Sequence, residues 1–315
     1  MSSQQPRVSI GMPIHNEEPF LREAIESLLA QDFADFELII CDNASDDATP
    51  EISREYAARD PRVRYQRHDK NVGGTENFNY ALQLAVGKYF MWAAGHDLWA
   101  PTYLSRCLEV LESDESVVAC NTITQWVSRD GKDRGSFERQ FDTRRYGLLV
   151  RGNIALWQVS PFSGYSLIRA SAIRRNRLTM RRVIAPDYLF GLELALLGPT
   201  AIVPEVLFFM RDNRGENSKA IKDAKTVGAF LERLYPRGTA PLGRFKMAKY
   251  MVEEMRAIRR ARMSTWQRLV LCVSIPPTYL IEFYRFVPLR LRRPVRGWLA
   301  RFLKPPQKPM DARSR

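Results

Sequence analysis

The chain has 315 residues, 45% of them hydrophobic, which is enough to bury a large core and excludes a disordered polypeptide. Its net charge of +13 is lopsided, with 21 Lys and Arg against 5 Asp and Glu in 225–315, and 27 basic against 30 acidic residues in 1–224. The four cysteines, Cys41, Cys107, Cys120 and Cys272, form no CxxC pair, so the spacing suggests neither a zinc site nor a disulfide framework.

In chain order, VSIGMPI (Val8 to Ile14) reads as a buried strand. After Pro19, LREAIESLLAQ carries Leu21, Ile25, Leu28 and Leu29 at helical spacing. FELIICD is a second strand ending at Asp42, followed by the loop NASDD and a helix from about Pro50 to Arg59. RVRYQ is a short third strand; the Gly73-Gly74 turn leads into a helix holding NFNYALQLA, then a fourth strand KYFMWAA. SVVACNTITQW reads as a strand entering a hairpin at Asp130-Gly131, 132–160 as irregular, SGYSLI as a strand, PDYLFGLELALLG as a helix and VLFFM as a last strand. Beyond about 225 the pattern is helical and Arg-rich.

Regular alternation of strands and helices predicts an α/β fold with a mostly parallel sheet, in which ligands gather at the carboxyl ends of the strands. His15, Asn16 and Glu17, then Asp42, Asn43, Asp46 and Asp47, then His96 and Asp97 all fall just after predicted strands 1, 2 and 4. No GxGxxG follows strand 1, where GMPIHNEE stands, so a dinucleotide-dependent oxidoreductase is disfavoured. Trp92, Trp99 and Trp157 are candidates for stacking on a sugar, with burial in the core as the competing reading.

The blocks VSIGMPIHNEE, FELIICDNASDDAT, NVGG with NFNYAL, and GKYFMWAAGHDLWAP resemble, in order over residues 7–113, the inverting family 2 glycosyltransferases of GT-A fold. The resemblance implies a GT-A, Rossmann-like domain over 1–224, with 225–315 as a basic amphipathic helical extension. It implies transfer of a sugar from a nucleotide diphosphate sugar, UDP or dTDP first, to a hydroxyl of a lipid-linked, polysaccharide or other glycan acceptor. Pro13, His15, Asn16, Glu17, Asp42, Asn43, Asp47 and Gly74 become candidate donor-binding residues, His96 and Asp97 candidate metal ligands, and Asp187 the candidate catalytic base.

Ala94 stands where the family's first metal-motif Asp stands, so the implied divalent ion, Mn²⁺ or Mg²⁺, rests on His96 and Asp97; an imidazole ligand puts Mn²⁺ first. The same substitution motivates the alternative of a catalytically weak nucleotide-sugar-binding or scaffolding protein. Asp187 opens a predicted helix, so helix capping is its competing explanation.

No secretory signal or stretch of about 20 apolar residues is visible, and the reading is of a cytoplasmic protein. In TWQRLVLCVSIPPTYLIEFYRFVPLRLRR, aromatic and aliphatic residues are interleaved with Arg, which predicts association with an anionic membrane at its inner face. No nucleic-acid motif accompanies the charge, and no nucleic acid is expected as partner.

Overall fold

The computed structural model describes residues 5–136, 141–157, 165–183, 186–211 and 246–286. The strands are β1 (Val8–Ile14), β2 (Phe36–Asp42), β3 (Val63–Arg67), β4 (Tyr89–Trp92), β5 (Leu98–Trp99), β6 (Ala119–Val127), β7 (Asp133–Ser136), β8 (Leu167–Arg169) and β9 (Thr200–Arg211). The helices are α1 (Leu21–Leu29), α2 (Thr49–Arg59), α3 (Gly74–Leu84), α4 (Tyr103–Ser113), α5 (Leu148–Trp157), α6 (Ala170–Asn176), α7 (Pro186–Leu197), α8 (Lys246–Arg260) and α9 (Thr265–Phe286).

One sheet runs in the order β3-β2-β1-β4-β8-β6-β9-β5, with β7 paired to β6. The expected parallel character is carried by the first four strands, which are parallel throughout. Antiparallel pairing of β8 with both β4 and β6, and of β5 with β9, makes the sheet as a whole mixed. The predicted hairpin at Asp130-Gly131 is the antiparallel β6–β7 pair.

Side chains alternate across a strand, and here both faces are covered. Val8, Ile10, Met12 and Ile14 of β1 join Leu38, Ile40 and Met91 in one core with α1, α2 and α4. Ile39, Cys41, Phe90 and Trp92 point the other way, into a second core with α3, α6 and α7. At roughly 1.5–3 kcal/mol for each large apolar side chain buried, a slip of one residue in β1 would forfeit the whole inward row, so its register is fixed.

Three helices and one strand fall where the pattern reading assigned nothing or irregular chain: α4, α5, α6 and the two-residue β5. The last strand is also longer than VLFFM. In β9, Val203 lies opposite Thr122 and Val206 opposite Ile123, so Pro204 and Glu205 form a bulge; a proline that cannot donate to the ladder hides the strand's first half from a pattern reading.

Compactness divides the chain into Met1–Cys272 and Val273–Arg315. The first unit includes α8, which packs on α7. The boundary expected at 224/225 and the arginines beyond 286 lie outside the described residues. Among the described residues, no helix is long and apolar enough to cross a membrane.

Candidate active site

The loops after β1 and β2 are tied to each other before they meet any ligand. Asn16 adopts φ 57°, a left-handed conformation that Asn tolerates better than most residues. Its amide exchanges two hydrogen bonds with Asp46: Asn16 Nδ2 donates to Asp46 Oδ1 at 2.6 Å, and Asp46 N donates to Asn16 Oδ1 at 3.0 Å. Asn16 N also donates to Ser45 Oγ at 3.0 Å.

Asp42, expected to face the nucleoside, is fully buried and occupied beneath these loops. Its Oδ1 accepts from Ser45 N at 2.9 Å and Ser45 Oγ at 2.6 Å, and its Oδ2 from Tyr65 OH at 2.8 Å and Arg67 Nε at 3.1 Å. Asp47 likewise accepts from Thr49 N at 2.9 Å and Glu18 N at 3.1 Å, fastening the start of α2 to the loop after β1. Both acids shape the rim.

A cavity of about 410 Å³ opens at the carboxyl ends of β1, β2 and β4. Of the sequence-predicted residues, Pro13, His15, Asn16, Glu17, Asn43, Gly74 and His96 line it. Asp42, Asp47, Asp97 and Asp187 are not among its lining residues. Asn71, Asn77 and Tyr165 line it without having been assigned a role from sequence. Asn71 belongs to the NVGG block and had that signal; a tyrosine opening a strand has none.

One wall is a chain of amides whose directions follow from the donors. Val72 N donates to Asn43 Oδ1 at 2.8 Å, so Asn43 presents Nδ2 to Asn71 Oδ1 at 2.9 Å. Asn71 Oδ1 accepts also from Gly73 N at 2.9 Å, in a turn that Gly73 permits with φ 91°. With its oxygen occupied, Asn71 turns Nδ2 to His15 Nε2 at 3.3 Å. His15 Nε2 is then the acceptor and the ring proton sits on Nδ1, which is buried without a hydrogen-bond partner among the described residues.

The facing wall is the loop 94–97. Gly95 is required there: a Cβ would stand 2.8 Å from Ile14 Cγ2 and 2.9 Å from Glu17 Cγ. That close approach puts His96 Nδ1 3.0 Å from both Glu17 carboxylate oxygens. Burial works against charge on the imidazole, but the Glu17 carboxylate prevails and holds its pKa up to about 9, with a further contribution from Asp97. Asp97 is 1% exposed and accepts from Arg211 N at 2.8 Å, anchoring the loop to the end of β9. Burial pushes its carboxyl up to about 6 against the pull of His96 and the Arg211 N–H.

These residues can hold a metal in one way. Among the described residues, no three acid, His or Cys side chains form a metal cage. His96, with Nδ1 held by a carboxylate, presents Nε2, which becomes a ligand nitrogen only when a metal displaces its proton; carboxylate support on the other nitrogen is the arrangement usual for metal-binding histidines. The site therefore fits an ion whose remaining ligands come from a bound diphosphate and water.

Asp187 opens α7, half-buried. Burial raises its carboxyl to about 6, opposed by hydrogen bonds from its own and the Tyr188 backbone N–H, so the capping role is present too. Its link to the cavity is Tyr165, whose phenol is held in the neutral form by burial and then by the charges of Asp97, Asp187 and Glu17. Tyr165 is itself fixed: its carbonyl accepts from Tyr103 OH at 2.9 Å and its ring lies 5.9 Å from that of Phe208.

The model for glycosyl transferase family 2 matches residues 9–175, just over half of the chain. The chain belongs to glycosyl transferase family 2. As a family 2 glycosyltransferase it is an enzyme of the transferase class, with the GT-A fold. S. aureus TarS 1–349, solved with UDP-GlcNAc, superposes with a TM-score of 0.66 at 16% identity, over 91% of this chain and 78% of that one. The mannosyltransferase PcManGT of Pyrobaculum calidifontis, solved with GDP-Man and Mn²⁺, gives 0.52 at 19% identity, over 96% and 82%. By sequence, the glycosyltransferase EpsJ of Bacillus subtilis is 35% identical over 125 residues, 39% of this chain and 36% of EpsJ's own length.

Two of the tryptophans considered as sugar platforms are core residues of this glycosyltransferase. Trp92 is fully buried, 4.8 Å from Phe90 and 5.0 Å from Phe190, and donates to Phe78 O at 3.0 Å. Trp99 is 2% exposed and stacks on Phe208. Trp157 is half-exposed on α5.

Proposed function

We propose that the enzyme is an inverting transferase that takes a UDP- or dTDP-sugar and delivers the sugar to a hydroxyl of a lipid-linked or polysaccharide acceptor. The observation that carries this reading is the convergence on one cavity of the amide wall ending at His15 and of the Glu17–His96 pair. The donor class is supported by the nucleotide sugars bound to TarS and PcManGT.

The amide wall suits the nucleoside. A buried N–H with no partner is costly, and the C4 keto oxygen of uracil or thymine would satisfy His15 Nδ1–H where the C4 amino group of cytosine would not. The Glu17–His96 wall suits the diphosphate, because an imidazole held by a carboxylate is positioned for a cation shared with phosphate oxygens. His96 would hold a divalent ion there, which would supply positive charge against that of the leaving diphosphate. Tyr165 OH, which makes no hydrogen bond to the described residues, offers a donor to the sugar between the two walls and Asp187.

Inversion needs a base across from the departing diphosphate. Asp187, raised to about 6, is ionised at neutral pH yet basic enough to take the acceptor's proton. The basic segment 225–315 brings the enzyme to the inner face of a membrane, where a lipid-linked acceptor is met.

Isothermal titration with UDP, dTDP, CDP and GDP, with and without Mn²⁺, tests the donor site. Anomeric NMR of the transfer product tests inversion. UDP or dTDP is expected to bind at least several-fold tighter than CDP, and a product of inverted configuration is expected. Absence of binding by every nucleotide, or retention at the anomeric carbon, overturns the reading.

A further inference from the structure

Both α8 and the start of α9 carry large apolar side chains that stand exposed. On α8, Tyr250, Glu254, Ala257 and Ile258 are buried. The side opposite exposes Val252, at 43%, and Met255, at 39%. Lys249, Arg256 and Arg259 stand exposed beside them. At the start of α9, Leu271 is buried on the side of Gly152 in α5, where an added Cβ would meet it at 2.9 Å. Trp266 and Leu269, one turn apart, are exposed at 68% and 54%.

Single exposed apolar side chains are ordinary on a protein surface. Four large ones on α8 and the start of α9, interleaved with cations, are a pattern of interfacial helices, in which tryptophan and leucine enter the headgroup boundary and arginines meet lipid phosphates. Arg256 pairs with Glu253, whereas Arg259 and Arg262 make no ion pair to a described residue, so their charge is available to a partner. A second copy of the chain is a poor occupant, because the same face would bring like charges together. A polyphosphate partner alone leaves Trp266 and Leu269 unexplained.

We propose that the exposed sides of α8 and of the start of α9 dock the enzyme on an anionic lipid surface, with Trp266, Leu269, Val252 and Met255 as the inserting side chains and Arg256, Arg259 and Arg262 at the phosphates. The inference deepens the membrane-side reading above by naming the surface. Vesicle binding and sugar transfer are measured separately, so failure here is distinguishable from failure of the donor reading.

The test is co-sedimentation of the full chain with vesicles of phosphatidylcholine alone or mixed with phosphatidylglycerol, comparing wild type, W266A/L269A and R259Q/R262Q. Wild type is expected to bind the anionic vesicles and to be released by salt. W266A/L269A is expected to bind about ten-fold more weakly with unchanged Tm, since both side chains are exposed in the fold. R259Q/R262Q is expected to flatten the dependence on phosphatidylglycerol content. Equal binding to pure phosphatidylcholine, or unchanged binding by W266A/L269A, overturns the proposal. So does a wild-type dimer in sedimentation velocity that W266A/L269A converts to monomer.

Discussion

His96 Nδ1 lies 3.0 Å from each carboxylate oxygen of Glu17, joining the ends of β4 and β1 across 79 residues of sequence. The pair leaves Nε2 as the imidazole nitrogen outside it, and under the proposed function a cation would be held there only together with the nucleotide. Mn²⁺ alone is therefore expected to leave Tm unchanged, and to add to the thermal shift produced by UDP. Glu17→Gln should remove that addition, and calorimetry with UDP in the presence and absence of Mn²⁺ reads it. A Tm shift by Mn²⁺ without nucleotide would count against the shared site.

Gly95 makes the pair possible by letting the loop pass within contact distance of Ile14 and Glu17. Gly95→Ala places a methyl where 2.8 Å is available, an overpacking that costs about 1–3 kcal/mol. The expected result is a lower Tm together with loss of the Mn²⁺ contribution, measured by melting with and without ligands. A variant with wild-type Tm and wild-type Mn²⁺ response would show that the loop yields freely.

Asp187 predicts both an activity and a stability profile. As a base raised to about 6, it should give turnover that rises through that pH and levels above it. Asp187→Asn should lower transfer by about 10²- to 10⁴-fold while leaving UDP affinity nearly intact. For stability the sign is opposite. A carboxyl raised from 3.8 to about 6 binds its proton more tightly in the folded state, so its contribution is full below 3.8 and is lost as pH rises through 6. Urea titrations from pH 4 to 8 should show Asp187→Asn gaining on wild type toward pH 8. Retained turnover in the variant removes Asp187 from the chemistry.

Tyr165→Phe removes one hydroxyl and leaves the ring packed near Phe208. Loss of one neutral hydrogen bond, about 0.5–1.5 kcal/mol, corresponds to a roughly three- to ten-fold weaker grip. It should appear for UDP-sugar and be absent for UDP alone, in parallel titrations of both ligands. An equal effect on both would place the hydroxyl at the nucleotide.

The first half of the fold was legible because its signals are local. Strands β1 and β2 were read to their boundary residues, since apolar runs bounded by polar turns admit one assignment. The second half hides its signals: α4 lies between two strand motifs that dominate the pattern, and Pro204 disguises the bulge of β9. At the site, strand-end position located Pro13, His15, Glu17, Asn43 and His96 at the cavity. That Asp42 and Asp47 are hydrogen-bonded to the neighbouring loops was not legible, because a sequence does not say which partner an acid in a turn takes. Tyr165 was invisible, since its importance lies in what surrounds it in space.

The hydrogen bond from Arg211 N to Asp97 crosses 114 residues, and β5, which follows Asp97, enters the sheet through β9. During synthesis β1 to β4 can assemble while β9 is still unmade, so the amide wall is complete before the His96 loop has its anchor. The two halves of the cavity thus mature at different times. A nascent or truncated chain ending near residue 175, where the family match stops, would hold the amide wall beside an unanchored His96 loop. The loop after β4 thus depends for its anchor on a residue made 114 positions later.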